Sequence, residues 1–196
     1  MLSLKESLKI LEETKALISG HFVLSSGLHS NKYVQCAKLL SNPQKAFKIC
    51  LSLSQKIKKE FSNIDLILSP AVGGIIIGYE MGKLLNVETI FSERINGKFK
   101  LRRGFNIKKN SNVLIVEDVI TTGKSSLECS RLVKKSKGKI LGFSCIIDRS
   151  DKKKLRIKNK KIISQIKINI PTYKSNNVPN SLKKIRVTKP GSRFLK

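Results

Sequence analysis

Tryptophan is absent from the 196-residue chain, and aromatic residues make up only 6% of it. This shortage argues against a surface that stacks nucleic-acid bases on aromatic side chains. Long apolar runs are also missing, because Pro70, Gly73 and Gly74 interrupt the most apolar stretch, residues 66–79. A membrane-spanning helix needs about 20 apolar residues, and the N-terminus lacks the apolar core of a signal peptide. We therefore expect a cytoplasmic protein without membrane contacts.

Residues that bind zinc are scarce. The four cysteines, at positions 36, 50, 129 and 145, form no Cys-x-x-Cys pair, and only His21 and His29 could join them. A zinc site is therefore not expected. Free, buried thiols in a reducing compartment are the expected state of these cysteines.

Acidic residues are few, since 13 Asp and Glu oppose 40 Lys and Arg and leave a net charge of +27. Such a charge is typical of proteins that bind nucleic acid or anionic ligands. It also fits an A/T-rich genome, which enriches Lys, Ile and Asn, and the basic residues are scattered along the chain. We favour this second interpretation and expect no specific nucleic-acid partner. The positive field would still attract phosphorylated substrates.

Length and pattern favour one domain over residues 1–196. Its first part reads as a helix over residues 3–18, a hairpin over 21–37 and an amphipathic helix from Pro43 to about residue 61. The apolar face of the last helix comprises Phe47, Leu51, Leu53 and Ile57. We expect residues 1–61 and an irregular C-terminal tail to form a cap over a core at 62–170.

From residue 65 onward, strand and helix patterns alternate. Strands are expected at 66–69, 87–91, 113–116, 140–147 and 162–170, and helices at 75–85 and 124–136. This alternation is typical of an α/β fold with a parallel sheet between helices. In such sheets the functional site lies at the carboxyl ends of the strands.

The most informative stretch is residues 113–126. Four apolar residues form a strand that is expected to end at two adjacent carboxylates, Glu117 and Asp118. The following loop, residues 121–125, is rich in small and hydroxylated residues and opens a helix, so its amides suit a phosphate. Carboxylates repel phosphate and prefer sugar hydroxyls or a divalent cation. A ribose 5-phosphate offers a phosphate to the loop amides and hydroxyls to the two carboxylates.

A second glycine-containing turn, residues 71–74, also follows a strand and precedes a helix. Taken alone, Gly73 and Gly74 are explained by a tight turn. Together with the loop at 121–125, they indicate a second anion site at the same edge, suited to diphosphate. The two sites then fit a pentose that carries phosphate at one end and diphosphate at the other.

Three basic segments have two interpretations each. The first interpretation of residues 93–105 is a lid that brings positive charge to a leaving diphosphate. The second is a solvated hairpin. Arg149 follows a strand. One interpretation is that its guanidinium binds a ligand carboxylate or planar carbonyls, and the other is that it forms an ion pair with Asp148. The charge run 151–161 is a nucleic-acid arm or a solvated loop, and we favour the loop.

The sequence of residues 117–125, EDVITTGKS, after an apolar strand resembles the ribose-phosphate signature of type I phosphoribosyltransferases. Further segments resemble the orotate phosphoribosyltransferase branch of that family. They are Phe22–Ser30, Ser69–Gly74, Glu93–Phe99, Ile147–Arg149 and Lys189–Arg193. The resemblance covers most of the chain.

The resemblance implies the type I phosphoribosyltransferase fold, a parallel twisted sheet flanked by helices, with a small N-terminal helix–hairpin cap. It implies conversion of orotate and 5-phosphoribosyl 1-diphosphate to orotidine 5-phosphate and diphosphate in UMP biosynthesis. Mg²⁺ would be the cofactor, held mainly by the substrate. The protein would be a homodimer whose lid residues reach into the neighbouring subunit's site.

The resemblance also assigns residues to the site, with Glu117, Asp118 and Lys98 as the catalytic ones. The two carboxylates would hold the ribose hydroxyls. Substrate contacts are further expected from Val72, Gly73 and Gly74 (diphosphate), Arg94, Lys98 and Lys100 (lid), Val119, Ile120, Thr121, Thr122, Gly123, Lys124 and Ser125 (5-phosphate loop and the strand end before it), Arg149 (orotate), and Ser26 and Gly27 (pyrimidine).

The chain departs from the family pattern in two respects. Some members carry lysines where this chain has Ser25 and Gly73, and a histidine near the position of Lys100. Two other functions remain compatible with the sequence. One is transfer to a purine or another base, and the other is a regulator that binds nucleic acid in response to phosphoribosyl diphosphate.

Overall fold

A computed structural model describes residues 1–24, 26–151, 155, 157 and 161–190. Within these residues the helices are α1 (Leu4–Glu13), α2 (Cys36–Leu40), α3 (Pro43–Glu60), α4 (Gly74–Leu85), α5 (Lys124–Lys135) and α6 (Asn180–Lys183). The strands are β1 (Leu17–Val23), β2 (His29–Val34), β3 (Leu66–Pro70), β4 (Thr89–Ile95), β5 (Lys98–Leu101), β6 (Asn112–Ile120), β7 (Lys139–Asp148), β8 (Ile162–Lys167), β9 (Thr172–Tyr173) and β10 (Val187–Thr188).

The main sheet contains six of these strands in the order β5-β4-β3-β6-β7-β8. All neighbours run parallel except β4 and β5, which form an antiparallel hairpin at one edge. Strand β3 is buried along its whole length, as expected for a parallel strand covered on both faces. The expected α/β class is confirmed.

Helices cover both faces of the main sheet. One hydrophobic cluster joins α1, α3 and α4 to one face through residues such as Leu53, Ile77 and Leu114. A second cluster joins α5 to the other face through Cys129 and Val133. Because adjacent residues of a strand point to opposite faces, Leu114 and Ile115 of β6 belong to different clusters.

The two ends of the chain meet in a smaller sheet with the order β10-β1-β2-β9. The hairpin expected near the N-terminus is confirmed as β1 and β2. The expectation of an irregular C-terminal tail was wrong in part. Within that tail, β10 pairs with β1 and β9 pairs with β2, so each adds a short strand to the hairpin. The division into a cap and a core over 62–170 stays a prediction.

Two other expectations for the N-terminal region were wrong. The helix expected over residues 3–18 ends at Glu13, and β1 already begins at Leu17. Its start is fixed by a capping box in which Ser3 and Glu6 bond each other's backbone amides. In α3, Leu53 and Ile57 are buried as expected, but Phe47 and Leu51 are exposed.

No helix among the described residues is long and apolar enough to cross a membrane.

Candidate active site

Two strand-to-helix turns lie side by side at the carboxyl edge of the main sheet. The turn at residues 71–73 joins β3 to α4, and the loop at 121–123 joins β6 to α5. Strands β3 and β6 are parallel neighbours, so the two turns emerge at the same edge. The first amides of each helix have no partner within the helix and can receive an anion. The expectation of a common edge is confirmed.

Asp118 lies directly beneath the first turn. A Cβ atom added to Gly73 would lie 2.8 Å from Oδ2 of Asp118. The Val119 amide donates to Oδ1 at 2.9 Å, and burial raises the pKa of the Asp118 carboxyl above its usual value. Gly74 is buried, whereas Val72 is 83% exposed. The carboxylate therefore lies next to the amides expected to face diphosphate.

Glu117 and Asp118 have different partners. Asp118 lies against Gly73 of the first turn, whereas Glu117 bonds to α5. Strand β6 continues past both carboxylates to Ile120. Glu117 is only 7% exposed, and its Oε1 accepts a hydrogen bond from the Ser126 hydroxyl in α5. Burial raises the pKa of Glu117 to about 7, while the bond from Ser126 acts in the opposite direction.

The loop expected to bind the 5-phosphate lies largely exposed at the start of α5. Thr121, Thr122 and Lys124 are exposed and Ser125 is half-buried. Gly123 is the N-cap of α5 and has φ 67°, a left-handed conformation that favours glycine. The loop thus leads with small residues into the positive end of a helix.

Two residues that sequence reasoning left out contact this loop. A Cβ at Gly123 would lie 2.9 Å from Cγ1 of Ile157 and 3.3 Å from Cδ1 of Leu155. Both belong to the charge run 151–161, most of which lies outside the described residues. Two apolar residues in a lysine-rich run were the available signal that part of it packs against the domain.

The side chains of Val119 and Ile120 pack in the hydrophobic clusters on the two faces of the sheet. Ile120 is buried in the cluster beneath α5, and half-buried Val119 packs against the cluster on the other face. Their place at the end of β6 leaves the backbone to contact a ligand. One such backbone group is already used, since the Ile120 carbonyl accepts from the Arg149 amide at 2.8 Å.

The basic segment 93–105 contains a hairpin of the main sheet, formed by β4 and β5. Cross-strand pairing places Glu93 opposite Lys100 and Arg94 opposite Phe99. Because strands alternate, Lys98 and Lys100 share one face and Arg94 lies on the other. The three expected lid cations therefore do not form one group.

Arg94 is engaged within its own chain. Its guanidinium donates to Glu128 of α5 at 2.9 Å and to the Gly97 carbonyl at 2.5 Å. It also lies 4.1 Å from the ring centroid of Phe99, a side chain that is 8% exposed. These contacts hold the hairpin on α5, whereas Lys98 and Lys100 are exposed.

Arg149 follows β7 at the same sheet edge and is half-buried. Burial lowers the pKa of its guanidinium, and its Nε is buried without a hydrogen-bond partner in the described part of the chain. The alternative of a pair with Asp148 is not supported, because that carboxylate is bound by Lys167 at 3.6 Å and by the Ser150 amide at 2.8 Å. An unsatisfied buried donor suits a ligand oxygen.

The N-terminal hairpin adjoins the site through Cys36, which follows β2. The Cys36 thiol donates to the carbonyl of Asp118 at 3.8 Å. Ser26 and Gly27 form the exposed tip of the hairpin, with Gly27 at φ 78°. Ser25 lies outside the described residues.

A sheet edge with two anion-binding turns and a carboxylate between them is the arrangement expected of phosphoribosyltransferases. The phosphoribosyl transferase domain family matches residues 37–181 of the chain. The orotate phosphoribosyltransferase of Erythrobacter litoralis is 44% identical over 191 residues, which is 96% of this chain and 97% of that protein. The enzyme of that name from Carboxydothermus hydrogenoformans is 43% identical over 185 residues, 94% of this chain and 96% of that one.

The chain therefore belongs to the orotate phosphoribosyltransferase family, pentosyltransferases of pyrimidine biosynthesis. This confirms the resemblance seen in the sequence.

Solved structures agree on the fold. The orotate phosphoribosyltransferase of Aeropyrum pernix aligns with a TM-score of 0.71 at 20% identity, covering 82% of this chain and 92% of that one. An adenine phosphoribosyltransferase from Leishmania tarentolae aligns at 0.62 and 18% identity, over 85% and 89% of the two chains. The type I phosphoribosyltransferase fold is thereby confirmed.

Proposed function

We propose that the carboxyl edge of the main sheet carries out transfer of a 5-phosphoribosyl group from 5-phosphoribosyl 1-diphosphate to N1 of orotate. The C1–oxygen bond to diphosphate breaks with its electron pair on diphosphate, and a bond from N1 to C1 forms. The N1 proton passes to diphosphate or solvent. The close approach of Gly73 to Asp118 carries this proposal, because it brings an anion-binding turn and a carboxylate to the two ends of the breaking bond.

In this proposal the 5-phosphate binds the amides of Thr121 to Ser125. These amides lead into α5, whose positive end favours an anion. The exposed hydroxyls of Thr121 and Thr122 add donors. The phosphate anchors the sugar and so supplies binding energy that positions C1.

The diphosphate lies over Val72 to Gly74 at the start of α4. Asp118, beneath this turn, accepts a hydrogen bond from a ribose hydroxyl and favours the positive charge that develops on the sugar. Glu117, in its ionised form, is proposed to contribute further negative charge. No strong base is required, because the N1 proton becomes acidic as the N1–C1 bond forms and can then pass to diphosphate or solvent.

Mg²⁺ is the proposed cofactor, carried in by the oxygens of the substrate. Among the described residues, no cluster of three or more His, Cys, Asp and Glu could hold a metal ion. When bound, Mg²⁺ would neutralise charge on the leaving diphosphate.

Orotate is proposed to lie between Arg149 and the tip of the N-terminal hairpin. The unsatisfied Nε of Arg149 supports a contact with the orotate carboxylate or carbonyls. Backbone groups near Ser26 and Gly27 would read the pyrimidine edge. The link between Cys36 and Asp118 supports this placement, because it fixes the hairpin beside the ribose site.

A second copy of the chain is the proposed partner, in the cytoplasm. Exposed apolar side chains on α3 and α4, Phe47, Leu51, Ile76 and Tyr79, support this, since exposed apolar surface is typical of interaction sites. Ile76, in the first turn of α4, follows exposed Val72 by four residues. A partner docked there would therefore approach the diphosphate turn, where its Lys98 and Lys100 would act.

The test is the loss of orotate ultraviolet absorbance on adding phosphoribosyl diphosphate and Mg²⁺. We expect turnover by the intact protein and much less by Asp118→Asn. Adenine, hypoxanthine and guanine in a diphosphate-release assay should give little turnover. Release with a purine but not with orotate would contradict the proposal.

A further inference from the structure

Ser126 has a buried hydroxyl next to a buried carboxylate. It is the third residue of α5, is 0% exposed, and donates to Oε1 of Glu117. The chain shields both partners from water, so this bond cannot be replaced by a solvent molecule without rearrangement. Removing the donor would leave a buried acceptor unsatisfied.

We propose that Ser126 is a positioning residue for Glu117, holding its carboxylate in one orientation and in the ionised form that stabilises the positively charged sugar. This inference rests on the proposed phosphoribosyl transfer. It assigns to Ser126 a role different from that of the phosphate loop before it, since its hydroxyl points to Glu117 and not to the helix N-terminus.

The structure around the first turn of α5 holds Ser126 in a fixed position. The Ser130 hydroxyl donates to the Ser126 carbonyl at 2.8 Å, which ties Ser126 to the next turn. The same turn begins at Gly123, the glycine of the proposed phosphate loop. One helical turn therefore connects the loop proposed to bind the 5-phosphate to the hydroxyl that bonds Glu117.

The surroundings of Glu117 supply little else that favours its charge. Asp118 on the same strand raises the pKa of Glu117, and Cys129 of α5 and Cys145 of β7 lie close enough to interact with it electrostatically. The charges of Arg94 and Glu128, on the same face of the sheet, act electrostatically on the Cys129 thiol. Burial and Asp118 both oppose ionisation, and hydrogen bonds from Ser126 favour it.

The experiment compares three variants by kcat and KM across mildly acidic to mildly alkaline pH. Ser126→Ala should lower kcat at neutral pH by roughly tenfold for each unit by which the acid limb moves upward, with recovery at alkaline pH. Ser126→Thr, which keeps the hydroxyl, should retain the limb of the intact protein. Ser54→Ala is the control, since it removes another buried serine hydroxyl, one that donates to the Leu51 carbonyl in α3, and it should leave the limb in place.

A direct titration separates this inference from the proposed function. The carbon-13 signal of the Glu117 side-chain carboxyl, assigned with Glu117→Gln, reports its ionisation without any turnover. We expect its midpoint to rise in Ser126→Ala, or in the similarly sized weak donor Ser126→Cys should the alanine variant not fold. An unchanged midpoint, or a loss of kcat that is equal at every pH, would overturn the role of Ser126. Failure of the intact protein to consume orotate would instead overturn the proposed function.

Discussion

Gly73 and Asp118 approach so closely that a Cβ on the glycine would lie 2.8 Å from Oδ2 of the carboxylate. Gly73 has φ −59°, a value that any residue adopts, so conformational freedom is not the reason for glycine here. The reason is space, since a side chain would displace Asp118. The first turn of α4 and the carboxylate of β6 therefore form one unit.

Gly73→Ala should lower kcat/KM by roughly 10- to 100-fold, because the methyl group moves a group proposed to contact the ribose. A double-mutant cycle with Asp118→Asn measures the link. The loss of transition-state stabilisation in the double mutant should be much smaller than the sum of the losses in the two single mutants. Fully additive losses would mean that Gly73 acts through something other than Asp118.

Glu117 should make folding stability depend on pH. Its pKa rises from an ordinary 4.5 to about 7 in the fold, so the folded state binds more protons between these values. The contribution of this group to the free energy of unfolding is therefore fully present below pH 4.5. It is lost as pH rises to about 7, by about 3 kcal/mol.

Urea unfolding at a series of pH values tests this. Relative to the intact protein, Glu117→Gln should gain stability as pH rises through that window and show no further change above it. Glu12→Gln, at an exposed position of α1, is the control. Parallel stability curves for the intact protein and Glu117→Gln would contradict the prediction.

Lys98→Ala should reduce kcat by about tenfold or more while KM changes little, because a cation that meets the leaving diphosphate acts late in the reaction. Steady-state kinetics with both substrates provide the measurement. Lys109→Ala removes another exposed lysine, outside the hairpin, and should have little effect. A change confined to KM would assign Lys98 to ground-state binding.

Mixing Lys98→Ala protein with Asp118→Asn protein should restore activity if the hairpin of one subunit serves the site of the other. About half of the dimers would then be mixed, each with one intact site of two. The expected recovery is therefore roughly one quarter of the intact activity. Mixed dimers confirmed by mass spectrometry but without recovery would place Lys98 in its own subunit's site.

Local pattern was sufficient to predict the central elements. Four apolar residues before Glu117, and a loop of small residues before the helix at Lys124, predicted the strand, the turn after it and α5, because these signals lie within a few adjacent residues. Pro43 likewise marked the start of α3, where the Asn42 side chain accepts from the Lys45 amide at 3.1 Å. The site edge followed from the parallel order of such units.

Contacts between distant segments were not available from that pattern. The C-terminal strands pair with the N-terminal hairpin across more than half of the chain, and Ile157 packs on Gly123 from within a lysine-rich run. Strand β6 also continues to Ile120, beyond the end expected at residue 116.

The sequence by itself determined the chemical groups that this protein offers, namely two glycine-containing turns, two carboxylates and several basic side chains, and the order in which they follow the strands. The tertiary structure alone decided which of them meet. Asp118 lies under Gly73, Glu117 bonds to Ser126, and Arg94 pairs with Glu128. The physical reason is that chemical character belongs to each residue, whereas the direction of a side chain depends on strand length and on what packs against each face.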